Sequence, residues 1–252
     1  MHLPEVLLDD NDAVYDYYLR HQQNRWKALA SYAVLARRFR PRVTFADGAK
    51  RQLKALVRSG RPVIFAINHL STSDPYTIAA TAWRSPLRSK IGRIRVLAKD
   101  ELFLDPEQRR KVDMMGGIPV FRGKDHGIRA VNAAGQRMMD VCAQRLAAGD
   151  HLAIFPEGTC NEVDHTKVQA VGSGIGHIAF RAAKLDAAPA LVAIGMNYGN
   201  RDATVETTAA EAVSGVAYFR APILELPQRP ADIARLVKEE LQLAVDGAVA
   251  RY

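Results

Sequence analysis

A chain of 252 residues with 35 Lys+Arg, 27 Asp+Glu and a formal net charge of +8 is long enough for one large domain. With 48% hydrophobic and 25% charged residues it has apolar surface to bury, which excludes disordered and fibrous classes. Two cysteines, Cys142 and Cys160, are too few for a disulfide scaffold or a CxxC metal cluster and suit a reducing compartment.

The opening residues, MHLPEVLLDDND, carry acids where a secretory signal carries a basic run before an apolar stretch, so a cytoplasmic location is expected. The longest stretch without a charged residue is 14 residues, Ala187 to Asn200, shorter than the roughly 20 needed to cross a bilayer as a helix.

Between Arg20 and Arg58 eleven Lys+Arg accompany one acid, Asp47, a local net of +10. Trp26, Leu29, Tyr32, Ala33 and Leu35 recur there at helical intervals. The pattern predicts a basic amphipathic helical extension over residues 1–42 that lies on an anionic membrane surface, each Lys or Arg adding roughly 1 kcal/mol of attraction. The structural alternative is a packed helix with a solvated basic face. Nucleic acid is not an expected partner, because no reading motif occurs in a chain only 7% aromatic. A second basic run, Arg84 to Lys99, has no acid before Asp100 and suits the phosphates of an acyl donor, an acidic carrier protein or plain solvent.

Apolar runs rich in Val, Ile and Phe predict strands at Pro62 to Ile67, Ile94 to Ala98, Ile118 to Phe121, Leu152 to Phe155, Leu191 to Met196 and Val216 to Leu224. Helical periodicity is clearest over Ile128 to Ala148, Ile175 to Lys184 and Asp232 to Val249. This alternation predicts a single α/β domain, residues 43–252, around a largely parallel mixed sheet flanked by helices. Ligands of such sheets sit beyond the carboxyl ends of the strands.

The first of these strands runs into Asn68-His69-Leu70-Ser71-Thr72-Ser73-Asp74-Pro75. Pro75 favours a helix start with Asp74 or a neighbouring hydroxyl as its cap. On an intact helix a His and an Asp five apart diverge by about 140°; a turn at the helix start brings them together. The carboxylate would then fix the imidazole tautomer and leave the other nitrogen free to take a proton. With no Gly-x-Ser-x-Gly elbow to supply a nucleophile, the attacking hydroxyl belongs to the substrate.

Asn68-His69-x-Ser71-x-x-Asp74 resembles the signature of the glycerolipid acyltransferase family, enzymes that acylate glycerol 3-phosphate or lysophosphatidic acid. Gly116-Gly117-Ile118-Pro119-Val120-Phe121-Arg122 is similar to its second block, and Phe155-Pro156-Glu157-Gly158-Thr159 matches its third. Val192-Ala193-Ile194 is similar to an apolar fourth. The resemblance implies transfer of a fatty acyl group from acyl-CoA or acyl carrier protein to a hydroxyl of 1-acylglycerol 3-phosphate or glycerol 3-phosphate, without cofactor or metal. His69 is then the base, Asp74 its partner, and Arg122 the phosphate clamp, with Glu157, Gly158 and Thr159 at the acceptor. Peripheral attachment to the cytoplasmic membrane face follows from the lipid acceptor. A carboxylate beside a phosphate is awkward, so Glu157 is given an orienting role; Ser71 reads as a turn residue and Cys160 mainly as a packing residue.

The chain departs from the family at three places. Cys160-Asn161 stands for a usual Arg-Ser, Val171-Gly172-Ser173-Gly174 for Phe-Lys-x-Gly, and Leu191 for a usual proline. Two customary positive charges are thereby missing, which leaves more for Arg122 and Lys167 to do. The alternatives are an acyltransferase for a different lipid or natural-product hydroxyl, or a catalytically silent lipid-binding member of the fold. The Gly172, Gly174, Gly176 run offers backbone N–H groups to an anion or simply turns the chain.

Overall fold

The computed structural model describes residues 3–199 and 215–252; Asn200, the last residue of the uncharged run, lies outside them. In chain order the elements are α1 (Asn11–Arg20), α2 (Arg25–Phe39), β1 (Arg42–Phe45), α3 (Ala49–Ser59), β2 (Val63–Ile67) and α4 (Asp74–Trp83). There follow β3 (Ile94–Lys99), α5 (Pro106–Met114), β4 (Gly117–Val120), α6 (Gly123–His126), α7 (Asn132–Ala147) and β5 (His151–Ile154). The chain closes with α8 (Gly174–Ala183), β6 (Ala190–Asn197), β7 (Val216–Phe219) and α9 (Pro230–Val249).

Among the described residues the strands form one seven-stranded sheet in the order β1-β7-β6-β2-β5-β3-β4. Every pairing is parallel except β6 with β7, so the α/β class with a largely parallel mixed sheet holds. The six expected strands are present, with β7 stopping at Phe219 rather than Leu224; pairing resumes only as a bridge between Leu191 and Ile223. β1 was not anticipated, because an edge strand of four residues, RVTF, is too short and too polar to show a period. α7 begins at Asn132, not Ile128: Gly127 takes a φ of +90° at the end of α6, and Ile128 sits in the turn beyond it.

Two cores cover the two faces, and β2 shows why its sequence is apolar throughout. Its alternate side chains Ile64 and Ala66 join the core under α1, α7, α8 and α9, whereas Val63, Phe65 and Ile67 join the core under α2, α3 and α4. The α9 helix lies so close to β6 that a Cβ on Gly195 would stand 2.0 Å from the Ala244 carbonyl oxygen, which requires glycine there.

The first 42 residues are built into this frame. Val14, Tyr15 and Tyr18 of α1 are buried beside α7, and Ala28, Tyr32, Ala36 and Phe39 of α2 are buried over α4. The buried stripe of α2 therefore differs from the one read in the sequence: Tyr32 is shared, but Trp26 is 81% exposed. Asn24 caps α2 through the backbone N–H of Lys27; counting turns from that start places residues 28, 32, 36 and 39 on one face. The expected division at 42/43 falls at the first residue of β1. All eleven basic residues between Arg20 and Arg58 remain exposed. Among the described residues no helix is long and apolar enough to cross a membrane.

A buried charge cluster ties α1 and α7 to the sheet. Asp150, just before β5, accepts from Arg95 Nε of β3 at 2.7 Å and Arg145 Nε of α7 at 2.8 Å, while Arg145 Nη1 donates to the Leu19 carbonyl at 2.9 Å. The three side chains are all nearly sealed from solvent. Removing one partner of such a cluster leaves uncompensated buried charge. Asp150→Ala is therefore expected to lower the unfolding free energy by about 3–5 kcal/mol, measured by denaturant titration; a loss under about 1 kcal/mol would show the cluster to be dispensable.

Candidate active site

The strand β2 ends at Ile67 and the chain turns sharply before α4 starts at Asp74. Asp74 is the first helical residue, not the cap; Ser73 holds the cap position. The Asp74 carboxylate reaches back over the turn. Its Oδ2 accepts from the backbone N–H of Leu70 at 2.6 Å and of Ser71 at 2.9 Å, and lies 2.9 Å from His69 Nδ1. Its Oδ1 accepts from the Tyr198 hydroxyl at 2.7 Å. Asp74 is wholly buried, and these donors replace the water it gave up. The sequence thus brings a five-residue His–Asp spacing together through a folded-back turn.

The rest of the cleft is assembled from the neighbouring strand ends. Phe155, directly after β5, stacks on the His69 ring at 4.5 Å and 29°. Glu157 accepts from the His69 backbone N–H at 2.9 Å through Oε1 and from the Gln169 N–H at 2.8 Å through Oε2. Both carboxylate oxygens are thus engaged within the protein, and Glu157 straps the β2–α4 turn to two points of the loop between β5 and α8. Burial raises its carboxyl, opposed by those two backbone bonds. Asn68 is buried and bridges to β6, donating to the Met196 carbonyl and accepting its N–H. Ser71 Oγ accepts from the Ser73 N–H at 3.1 Å, as a turn residue does.

Arg122, at the end of β4, pairs through Nε with Asp125 at 2.6 Å and points Nη1 at the Gly158 carbonyl, 3.5 Å away. Lys124 Nζ lies 3.4 Å from Thr159 Oγ1. Gly158 takes φ +70° and turns the loop back on Phe155. Gly117 admits no Cβ, which would stand 2.3 Å from Val112 Cγ1, so that position serves packing of β4 rather than a ligand. Pro156 accepts from the Gly172 N–H at 2.9 Å. A Cβ on Gly176 would meet the Pro230 carbonyl at 2.0 Å, so this member of the glycine run serves helix contact. Lys167 accepts from Asn161 through its carbonyl.

Three residues of this site carried no usable sequence signal. Tyr198 follows an apolar strand like any boundary residue, Lys124 is one cation among many, and Cys160 read as packing. Cys160 Sγ in fact lies 3.5 Å from His69 Nε2 and 3.8 Å from Nδ1. Along the other side of the cleft a narrow apolar pocket is lined by Pro75, Phe155, Ala79, Leu87 and Ile94. Its walls descend from the site between α4 and the sheet.

The acyltransferase family model matches residues 48–196, more than half of the chain, and the chain belongs to the acyltransferase family. Acyl transfer is accordingly its reaction class. No curated protein matches the chain.

Burial disfavours the His69 cation, but hydrogen bonds to Asp74 and Cys160 and the charges of both outweigh it and raise the ring from its ordinary 6.5 to about 10. Because the folded value is raised, this contribution to stability is fully present below pH 6.5 and is lost as pH climbs through about 10. Ring-proton NMR is expected to show His69 titrating near 10, and lower in both Asp74→Asn and Cys160→Ala. A midpoint near 6.5 in the wild type would contradict this geometry.

Proposed function

We propose that the protein moves a fatty acyl group from acyl-CoA or acyl carrier protein to a hydroxyl of a glycerophosphate, lysophosphatidic acid or glycerol 3-phosphate. The observation that carries this reading is the His69–Asp74 pair, 2.9 Å apart, held by Phe155 and Glu157 of the loop whose Gly158 faces Arg122. His69 takes the proton of the attacking hydroxyl, and Asp74 orients the ring and stabilises its cation. Arg122 exchanges its contacts with Asp125 and Gly158 for the acceptor phosphate, and the complex holds both substrates in reacting geometry. Lys124, beside Thr159, adds positive charge near a place where the family's usual Arg is Cys160.

Product analysis by mass spectrometry, offering each donor with each acceptor, tests the reading. His69→Ala is expected to lower kcat by about 10²- to 10⁴-fold. Arg122→Ala is expected to raise KM for the phosphorylated acceptor by roughly 10- to 100-fold, the worth of a charge-assisted hydrogen bond, with little change for an acceptor lacking phosphate. Rejection of every glycerophosphate acceptor by an enzyme that turns over other alcohols would transfer the assignment to a different lipid or natural-product hydroxyl.

A lipid acceptor calls for contact with a bilayer. The surface best suited to it is the outer side of α2 and α3, which carry eight of the eleven cations of residues 20–58 together with exposed Trp26 and Val34. This supports reversible attachment to an anionic, cytoplasmic membrane face. Since α1 and α2 belong to the core, the informative variants change the surface alone. Trp26→Ser combined with Lys50→Gln, Arg51→Gln, Lys54→Gln and Arg58→Gln is expected to abolish salt-sensitive flotation with anionic liposomes. Unchanged flotation would remove this surface from the account.

A further inference from the structure

Direct transfer from donor to acceptor gives Cys160 no task, yet its thiol is the group closest to the free side of the His69 ring in the hydrogen-bond geometry, 3.5 Å from Nε2. A nucleophile beside an imidazole that a buried carboxylate orients is the arrangement that activates a thiol. Cys160, His69 and Asp74 supply those three parts in order. The ring cannot wander: Asp74 holds Nδ1 and Phe155 covers a face. The sulfur is nearly equidistant from the two nitrogens, 3.5 and 3.8 Å, so it stands beside the ring, and turning of the Cys160 side chain sets the line of proton transfer. Cys160 is partly open to the cleft, whereas Cys142 is sealed in the core with its thiol pushed up to about 12 by burial. Phe155, stacked on the His69 ring, also lines the apolar pocket under α4.

We propose that Cys160 takes the acyl group from the thioester donor as a covalent S-acyl intermediate before the acceptor hydroxyl attacks. The proposal rests on the acyltransferase reading and extends it. In the first half, His69 takes the proton of the Cys160 thiol and Sγ attacks the donor carbonyl carbon. A new carbon–sulfur bond forms, the donor's carbon–sulfur bond breaks, and the leaving thiolate takes the His69 proton and departs as a thiol. His69 is now neutral. In the second half it takes the proton of the acceptor hydroxyl, the hydroxyl oxygen attacks the Cys160 thioester, and the ester leaves as the Cys160 sulfur takes that proton back from His69. One thioester is exchanged for another and then for an oxygen ester, with no oxidant or added group.

The test incubates the full chain with palmitoyl-CoA, and separately with palmitoyl carrier protein, in the absence of acceptor. Intact-protein and peptide mass spectrometry is expected to show one palmitoyl group on the peptide carrying Cys160, removed by neutral hydroxylamine, together with a burst of about one free thiol per chain. Addition of lysophosphatidic acid or glycerol 3-phosphate is expected to discharge it. Cys160→Ala is expected to give no adduct and to lose roughly 10²-fold or more in turnover, the scale of a lost catalytic group, with an unchanged melting curve. Product formation without adduct or burst, a label on Cys142 instead, or Cys160→Ala turnover within about twofold of wild type would overturn the thioester step and leave the acyltransferase reading standing. An adduct that no glycerophosphate discharges would keep the step and remove the acceptor assignment. Absence of both adduct and product would sink the two together.

Discussion

The Asp74 carboxylate is the constraint on which the site depends. An ion with no exposed surface must find its solvation inside the protein, and Asp74 finds it in two backbone amides of its own turn, the Tyr198 hydroxyl and the His69 ring. The same four bonds that make its burial tolerable draw the turn backward, fix the imidazole and tie the end of β6 to the start of α4. Structure and chemistry are here one set of hydrogen bonds. The raised proton affinity of His69 is their consequence, shared with Cys160.

Around this point the parallel sheet does the gathering. The C-terminal ends of β2, β5 and β4 bring up His69, Phe155 and Arg122 from segments far apart in the chain, as open α/β sheets do at their carboxyl edges. Glu157 then locks the His69 loop to the segment at Gln169. The N-terminal helices join both faces of the same frame, α1 through the Arg145–Leu19 contact and α2 through Phe39 stacked on Tyr76 of α4. A surface that binds lipid on α2 would thus be mechanically continuous with the helix that starts at Asp74.

Much of this was legible in the residues, for identifiable reasons. Central strands buried on both faces have to be apolar throughout, so β2 and β6 stood out; His69 and Asp74 could be paired because a proline marks the helix start between strand and helix. β1 escaped because edge pairing leaves little trace in four residues. The stripe of α2 was misread because a helix with apolar residues on several sides has no single period, and only packing against α4 decides between Trp26 and Ala28. Tyr198 reaches Asp74 from 124 residues away and Cys160 reaches His69 from 91, and no local pattern reports a contact of that kind.

The three departures from the family's usual residues fall at two different places in the architecture. Leu191 lies at the amino end of β6, where its N–H and carbonyl both pair with Ile223; proline has no N–H to offer, so leucine there adds a stitch that closes the floor of the sheet. Cys160 and Gly172 lie on the opposite, loop-bearing rim, where each exchanges a long cation for a small side chain. The first departure is masonry, and the other two alter the doorway.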